Sequence, residues 1–227
     1  MGYAASRSRR EFDLWLKEAV VLVGAARTQT GSVREALLCA SLFLTHARFE
    51  NFFKDIVSFA VTKLNGKKVT CNSLPGRLRA AHLISQIPHR LLKRFYILND
   101  ERVLLDGLHE ALGREDWLWA AAVHKGNLNA SVVIGSNGYP STENLKKVFY
   151  KLGIEIIYEC SKKMKTDVEA LLEGINGLRG EIAHIGLPPM MSDNDIEKKI
   201  KDLGRTVETI DRIVHERFRV RARASDH

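Results

Sequence analysis

The sequence predicts an all-α protein, an antiparallel helical bundle with additional peripheral helices. Apolar residues recur every three or four positions along several long stretches, the spacing that gives a helix one apolar face. Capping-box patterns, in which Ser or Thr is followed three residues later by Glu, mark where helices begin. The composition, 45% hydrophobic with five prolines in 227 residues, is that of a folded chain. Because no repeat or linker divides it, we predict one domain over residues 1–227, with its core at about 32–215.

Two helices open the chain. The first is predicted over residues 9 to about 26. The second begins at the capping box of Ser32 and Glu35 and ends at Asn65 and Gly66, a typical turn dipeptide. The apolar stripe of the second helix consists of Leu38, Leu42, Phe49, Phe52, Phe53, Ile56, Phe59 and Ala60. Such a stripe is typical of a core rather than of a ligand site.

In the middle of the chain, the positions of prolines and apolar residues predict shorter helices separated by breaks. Pro75 suits the first turn of one helix, and Pro88 stops it. A helical pattern resumes over residues 89–112, with one interruption. Residues 117–139 are the least periodic and predict an irregular connection containing one short helix. A capped helix over residues 141–153 follows.

The next helix is the one around which the chain is organised. Thr166 and Glu169 form a capping box, Gly186 suits the position past the helix end, and Pro188 forbids continuation. We therefore predict a helix over residues 167–185. Its apolar face consists of Val168, Leu171, Leu172, Ile175, Leu178, Ile182 and Ile185.

The open side of this helix carries a notch. At about 100° per residue, Arg179 lies at the edge of the apolar face and His184 roughly 140° further round. Between them lie Asn176, Gly180 and Ala183, so that small residues separate a guanidinium from an imidazole. A phosphate fits such a notch. Two alternatives stay open: the Arg–His spacing arises by chance, or the glycines of this helix serve the close approach of a neighbouring helix.

A long amphipathic helix ends the fold. It begins at Ser192 and Asp195, and apolar residues recur along it every three or four positions to Phe218. The tail that follows, at about residues 216–227, is basic and is either solvated or binds phosphate. Its arginines are Arg217, Arg219, Arg221 and Arg223.

The net charge indicates the class of binding partner, and the cysteine spacing indicates the redox compartment. The formal net charge of +8 favours polyanionic partners, with nucleic acid first. The three cysteines, Cys39, Cys71 and Cys160, are widely spaced and form no CxxC pair. This spacing favours a reducing compartment, the cytoplasm, and disfavours structural zinc. No apolar run is long enough to span a bilayer, so we expect no membrane partner.

Three segments resemble one known family. LRGEIAHIG, at residues 178–186, resembles the RxxxxH signature of the HEPN superfamily of α-helical RNases. STENLKKVFYKLGI, at 141–154, resembles the Asn-containing helix and following segment of its stand-alone RiboL-PSP-like and MAE-type families. LTHARFENFFKDIV, at 44–57, resembles their long second helix, with its acidic residue at Glu50. The three segments occur in the family's order.

The resemblance implies a HEPN-like fold and a metal-independent endoribonuclease, a toxin or an antiphage-defence effector. Arg179 and His184 would be its catalytic residues. Asn176 and Gly180 of the notch, together with Glu50, are expected to bind substrate. We expect no metal and no cofactor. RNA is the expected substrate, and a cognate antitoxin or a defence-system partner belongs to the same expectation.

The residue types suit this chemistry. The 2′-hydroxyl of RNA can attack the adjacent phosphate to give a 2′,3′-cyclic phosphate and a 5′-hydroxyl. The protein then needs a base, an acid and positive charge for the transition state. Histidine transfers protons near neutral pH, and the planar guanidinium of arginine binds two phosphate oxygens. Each chain offers one signature histidine, so a homodimer with a composite site is expected, as in the family.

One position departs from the family's pattern. The residue after the signature arginine, often Asn, Asp or His in active members, is Gly180. An alternative is therefore a non-catalytic HEPN-like RNA-binding or scaffolding domain. A third hypothesis is a helical partner module without an RNA role, whose basic residues would be dispersed rather than gathered around Arg179.

Overall fold

A computed structural model describes residues 3–66, 70–98, 101–114, 128–188 and 190–218. Over these residues the chain is helical and has no β-strand, which confirms the all-α prediction. The helices of the described part are α1 (Arg7–Ala26), α2 (Gly31–Asn65), α3 (Gly76–Ser85), α4 (His89–Leu98), α5 (Glu101–Arg114), α6 (Ala130–Ile134), α7 (Thr142–Lys151), α8 (Ile156–Met164), α9 (Val168–Ile185) and α10 (Asp193–Phe218). A 3-10 turn, Cys71–Ser73, lies between α2 and α3.

The described residues divide into two compact units. Unit 1 contains those of Met1–Ile56, Asn137–Lys147 and Glu155–Arg219, and unit 2 contains those of Val57–Ser136 and Val148–Ile154. The organisation as a single domain over residues 1–227 stays a prediction.

The core of unit 1 brings together α1, α2, α9 and α10. Ala19 and Val23 of α1 lie in one cluster with Leu38 and Leu42 of α2. The end of α1 therefore lies beside the start of α2. The rings of Phe12 and Phe52 lie 6.1 Å apart further along, so the two helices run antiparallel. The same cluster joins the end of α9 to the start of α10. Its members from those two helices are Leu178, Ile182, Ile196 and Ile200.

Helix α1 also lies close against α10. The guanidinium of Arg9 donates to the carbonyl oxygen of Gly204 at 3.3 Å. A Cβ at position 204 would stand 2.6 Å from Cδ2 of Leu16, so any larger residue there would force the Leu16 side chain to move. Further along, the carboxylate of Asp211 accepts from the hydroxyl of Tyr3 and from the backbone N–H of Ser6. These contacts hold the start of α1 on α10.

Unit 2 has its own small core. Leu83, Ile87 and Ala111 are buried together, with partly buried leucines of α4 and α5 around them. Asn65, at the end of α2, binds the backbone of Leu128 with both ends of its amide, at 2.9 and 3.1 Å. The predicted short helix within residues 117–139 is α6; residues 115–127 lie outside the described part.

Two local details differ from the prediction. The N-cap of α9 is Asp167, whose side chain accepts from the N–H of Ala170 at 3.0 Å, so the predicted Thr166–Glu169 capping box is wrong. Glu169 instead forms an ion pair with Lys146. Helix α8 was not predicted at all. The predicted start of α10 is confirmed, because Ser192 and Asp195 bind each other's backbone N–H groups at 3.2 and 3.0 Å.

Candidate functional site

Helix α9 turns its polar side away from the core. Its buried residues, Val168, Leu172, Ile175, Leu178 and Ile182, all belong to the predicted apolar face, of which Leu171 is only half-buried. The buried part of this face ends at Ile182, about one turn before the end of the helix, since Ile185 is 75% exposed. Gly186 ends the helix at φ +88°, a left-handed conformation that favours glycine, and its N–H donates to the carbonyl oxygen of Ile182 at 3.2 Å.

Arg179 is held by aromatic rings rather than by a carboxylate. Its Cζ lies 5.9 Å from the centroid of the Phe43 ring and 5.6 Å from that of the Tyr139 ring. Within the described part of the chain, its guanidinium forms no ion pair and no hydrogen bond. Cation–π contacts fix the position of a guanidinium and leave its N–H donors free. Among the described residues, the N–H donors of Arg179 are thus unpaired and can bind an anion.

Asn176, one turn before Arg179, meets a histidine that the sequence analysis did not select. The Oδ1 atom of Asn176 lies 2.9 Å from Nε2 of His46, on α2. The Tyr139 hydroxyl lies 3.2 Å from the same nitrogen, and the rings of His46 and Tyr139 stack with centroids 5.3 Å apart. Tyr139 therefore contacts both His46 and Arg179.

His46 is buried and its pKa is lowered. The side chain is 2% exposed, and burial is the largest cause that moves the pKa below its ordinary value. The hydrogen bond to Asn176 opposes this shift, the charge of Arg179 adds to it, and the charge of Glu50 opposes it. The imidazole is therefore neutral at pH 7. Because amide Oδ1 is only an acceptor, Nε2 carries the ring proton.

His184 stands in solvent near the end of α9. It is exposed, and in the described part of the chain it has no hydrogen bond or ion pair. It lies five positions after Arg179, a rise of about 7.5 Å along the helix. Its free imidazole is available to a ligand that spans the notch.

The notch between these side chains is open. A Cβ added at Gly180 or at Gly177 would meet no atom within 4 Å. No neighbouring helix of the described chain lies against these glycines, so close intrachain packing does not account for them. Among the described residues, the space over Gly177 and Gly180 is therefore unoccupied.

Glu50, the remaining predicted residue, lies outside the notch contacts. Its Oε1 accepts from Nζ of Lys54 at 2.6 Å, an ion pair one turn along α2. It acts on the site through its charge on His46. The structure thus brings Asn176 and Arg179 together with His46.

Among the described residues, no group of three or more His, Cys, Asp or Glu side chains is placed to hold a metal ion. None of the described helices is both long and apolar enough to cross a membrane.

Comparison with known proteins decides the family. Residues 15–216 match the model of the RiboL-PSP-HEPN family. The chain belongs to the RiboL-PSP-HEPN family. No curated protein and no solved structure matches it significantly. The match spans α9 and the part of α2 that carries His46, and membership indicates a nuclease or RNA-binding role.

Two residues at the site of this HEPN protein, His46 and Tyr139, were not predicted from the sequence, for different reasons. His46 lies among the aromatic residues of a core stripe, and nothing in its local pattern separates it from them. Tyr139 falls in the segment that was predicted to be irregular. A signal was present all the same: a histidine in an otherwise apolar helix must find a polar partner when it is buried.

Proposed function

We propose that this HEPN protein is an endoribonuclease that cleaves RNA without a metal ion. The observation that carries the proposal is the unpaired guanidinium of Arg179, held on two aromatic rings beside an open notch that also bears His184. The net charge of +8 suits an RNA substrate.

The reaction follows from RNA's own nucleophile. A base takes the proton of the 2′-hydroxyl, O2′ bonds to phosphorus, and the P–O5′ bond breaks in line. An acid then protonates the leaving 5′-oxygen, which leaves a 2′,3′-cyclic phosphate and a 5′-hydroxyl. We assign proton transfer to His184 and stabilisation of the charged phosphorane-like transition state to Arg179. Asn176 and the open position at Gly180 would receive the phosphate.

A base and an acid are both needed, and each chain has one exposed histidine in the notch. His46 is a poor second one, since it is buried and its Nε2 is already bound. We therefore propose a homodimer in which two copies of α9 form one cleft. Ile185, next to His184 in sequence, and Met190 are 75% and 94% exposed and offer apolar surface for such an association.

The biological setting is proposed from the family. We expect a toxin or antiphage-defence effector, controlled by an antitoxin or another defence-system partner. The cysteines Cys39, Cys71 and Cys160 are free thiols, which suits the reducing cytoplasm.

The test is incubation of purified protein with total RNA. We expect His184→Ala to lower the rate by about 10²–10⁴-fold, the usual contribution of one proton-transfer group. Arg179→Ala should cost about 10²–10³-fold, as for other groups that stabilise a developing oxyanion. His109→Ala, at an exposed histidine of α5, is the matched control and should cleave normally.

The circular dichroism of each variant should match that of the wild type. New ends should carry a cyclic phosphate. A fully active His184→Ala protein would refute the assignment, and RNA binding without cleavage by the wild type would identify a non-catalytic RNA-binding domain instead.

A further inference from the structure

We propose that His46 is a positioning residue, which fixes the side-chain amide of Asn176 so that its Nδ2 donors are free for a phosphate oxygen that Arg179 also binds. The RNA phosphate as ligand rests on the proposed function; the orientation of the amide does not.

One hydrogen bond determines which end of the Asn176 amide faces the notch. Nε2 of His46 donates to Oδ1 of Asn176 at 2.9 Å. The opposite end of the amide, Nδ2, carries two N–H groups, and none of them has a partner among the described residues. An asparagine without this bond can rotate by 180° and present its oxygen, which repels a phosphate. His46 removes that orientation.

His46 itself is held in a fixed position. Its ring is 2% exposed and stacks on Tyr139, whose hydroxyl lies 3.2 Å from Nε2. The imidazole therefore has neither the access nor the free Nε2 that proton transfer to RNA requires. We therefore assign His46 the role of holding the Asn176 amide in place.

The two donors lie close to each other on α9. Asn176 and Arg179 are three residues apart on α9, so their side chains are neighbours on one helix face. The centroid of the Tyr139 ring lies 5.3 Å from the centroid of the His46 ring and 5.6 Å from Cζ of Arg179. One tyrosine thus supports the positions of both groups. A neutral amide donor beside a guanidinium supplies directed hydrogen bonds to an anion and adds no second charge to repel Arg179.

The experiment uses the full chain and an RNA oligonucleotide with 2′-O-methyl groups, which cannot cleave itself. His46→Phe keeps an aromatic ring at this position and removes the imidazole N–H donor. We expect it to weaken binding of the oligonucleotide about tenfold, the size of one hydrogen bond to a charged group. Asn176→Ala should weaken binding at least as much. In the Asn176→Ala background, His46→Phe should cost nothing further, because His46 acts through Asn176.

Asn176→Asp gives a second reading. The aspartate can still accept from His46 Nε2, but it presents a carboxylate oxygen in place of Nδ2. Binding should fall by more than in Asn176→Ala, with helix content unchanged. Thr45→Val is the control, since Thr45 is a buried polar neighbour of His46 on α2 whose hydroxyl donates to the carbonyl oxygen of Ser41 within the same helix. It should bind normally.

A direct readout is the side-chain amide resonance of Asn176 in the wild-type protein. Its ¹H and ¹⁵N shifts should move when the oligonucleotide is added, and in His46→Phe the movement should be lost. Equal losses from His46→Phe in the wild-type and Asn176→Ala backgrounds would overturn the proposal, as would an Asn176 amide that does not respond. Binding that behaves as predicted, without cleavage of ordinary RNA, would refute the nuclease and leave the positioning role intact.

Discussion

Replacing Gly180 with alanine should separate the stability of the fold from its activity. Position 180 lies inside α9, and a Cβ there would meet no atom within 4 Å. The added methyl group therefore causes no clash. It also removes the entropy cost of glycine in a helix interior, which is about 1 kcal/mol relative to alanine. For a chain of this size, that free energy raises the melting temperature by about 2–4 °C.

The same methyl group enters the notch between Asn176 and His184. Family members with Asn, Asp or His at this position must leave room for that side chain, whereas here a phosphate can lie directly against Gly180. Displacing such a phosphate by about 1 Å would cost on the order of a hundredfold in rate. We therefore expect cleavage by Gly180→Ala to fall by about ten- to a hundredfold while the protein becomes more stable. Thermal unfolding followed by circular dichroism and cleavage of a labelled RNA measure the two quantities.

Gly24→Ala is the matched control. Gly24 lies in α1, and its added Cβ would also meet no atom within 4 Å. This variant should gain stability without losing activity. A Gly180→Ala protein that is less stable than the wild type would contradict the open notch. One that is more stable and cleaves RNA at the full rate would show that the substrate does not use the notch.

Three other predictions concern pH, metal and assembly. Because burial lowers the folded-state pKa of His46, the unfolded chain binds a proton first as the pH falls below about 6.5. Stability should therefore decrease from about pH 6.5 towards the lowered pKa, and His46→Phe should show a shallower decrease in urea unfolding measured at pH 5 and pH 7. Cleavage should be unaffected by a chelator and abolished by a single 2′-deoxy substitution at the cut site; a requirement for magnesium would indicate another mechanism. Activity per chain should fall on dilution below the dimer dissociation constant, and sedimentation showing a monomer at constant turnover per chain would exclude the composite site.

Most helices could be predicted because their signals are local. The apolar spacing of α10 and its Ser192–Asp195 cap both lie within the segment that they describe. Helix α8 lacks such signals. Its N-cap, Glu155, makes no side-chain hydrogen bond, and its buried residues are only Ile156, Ile157 and Cys160. A short apolar run of this kind does not distinguish a helix from a strand.

The start of α9 shows a finer limit. Thr166 and Asp167 are both good N-cap residues, and the sequence pattern favoured the threonine because Glu169 follows at the right distance. In the structure Glu169 forms an ion pair with Lys146, 23 residues away in sequence, and Asp167 caps the helix. A contact from outside the segment selected between two acceptable caps.

The sequence by itself determined that Asn176, Arg179 and His184 lie on one side of α9. The α-helical period sets their angular positions whatever the helix packs against. The positions of the small residues between them, and the end of the helix at Gly186, are local in the same sense.

Only the tertiary structure decided what stands opposite Asn176. His46 is 130 residues away from it in sequence, on the 35-residue helix α2. A shift of α2 by one turn, about 5.4 Å, would present Leu42 or Glu50 in its place. The register is set by the burial of apolar residues of α2 against α1, α9 and α10, and such long-range packing leaves no mark in the local pattern around His46.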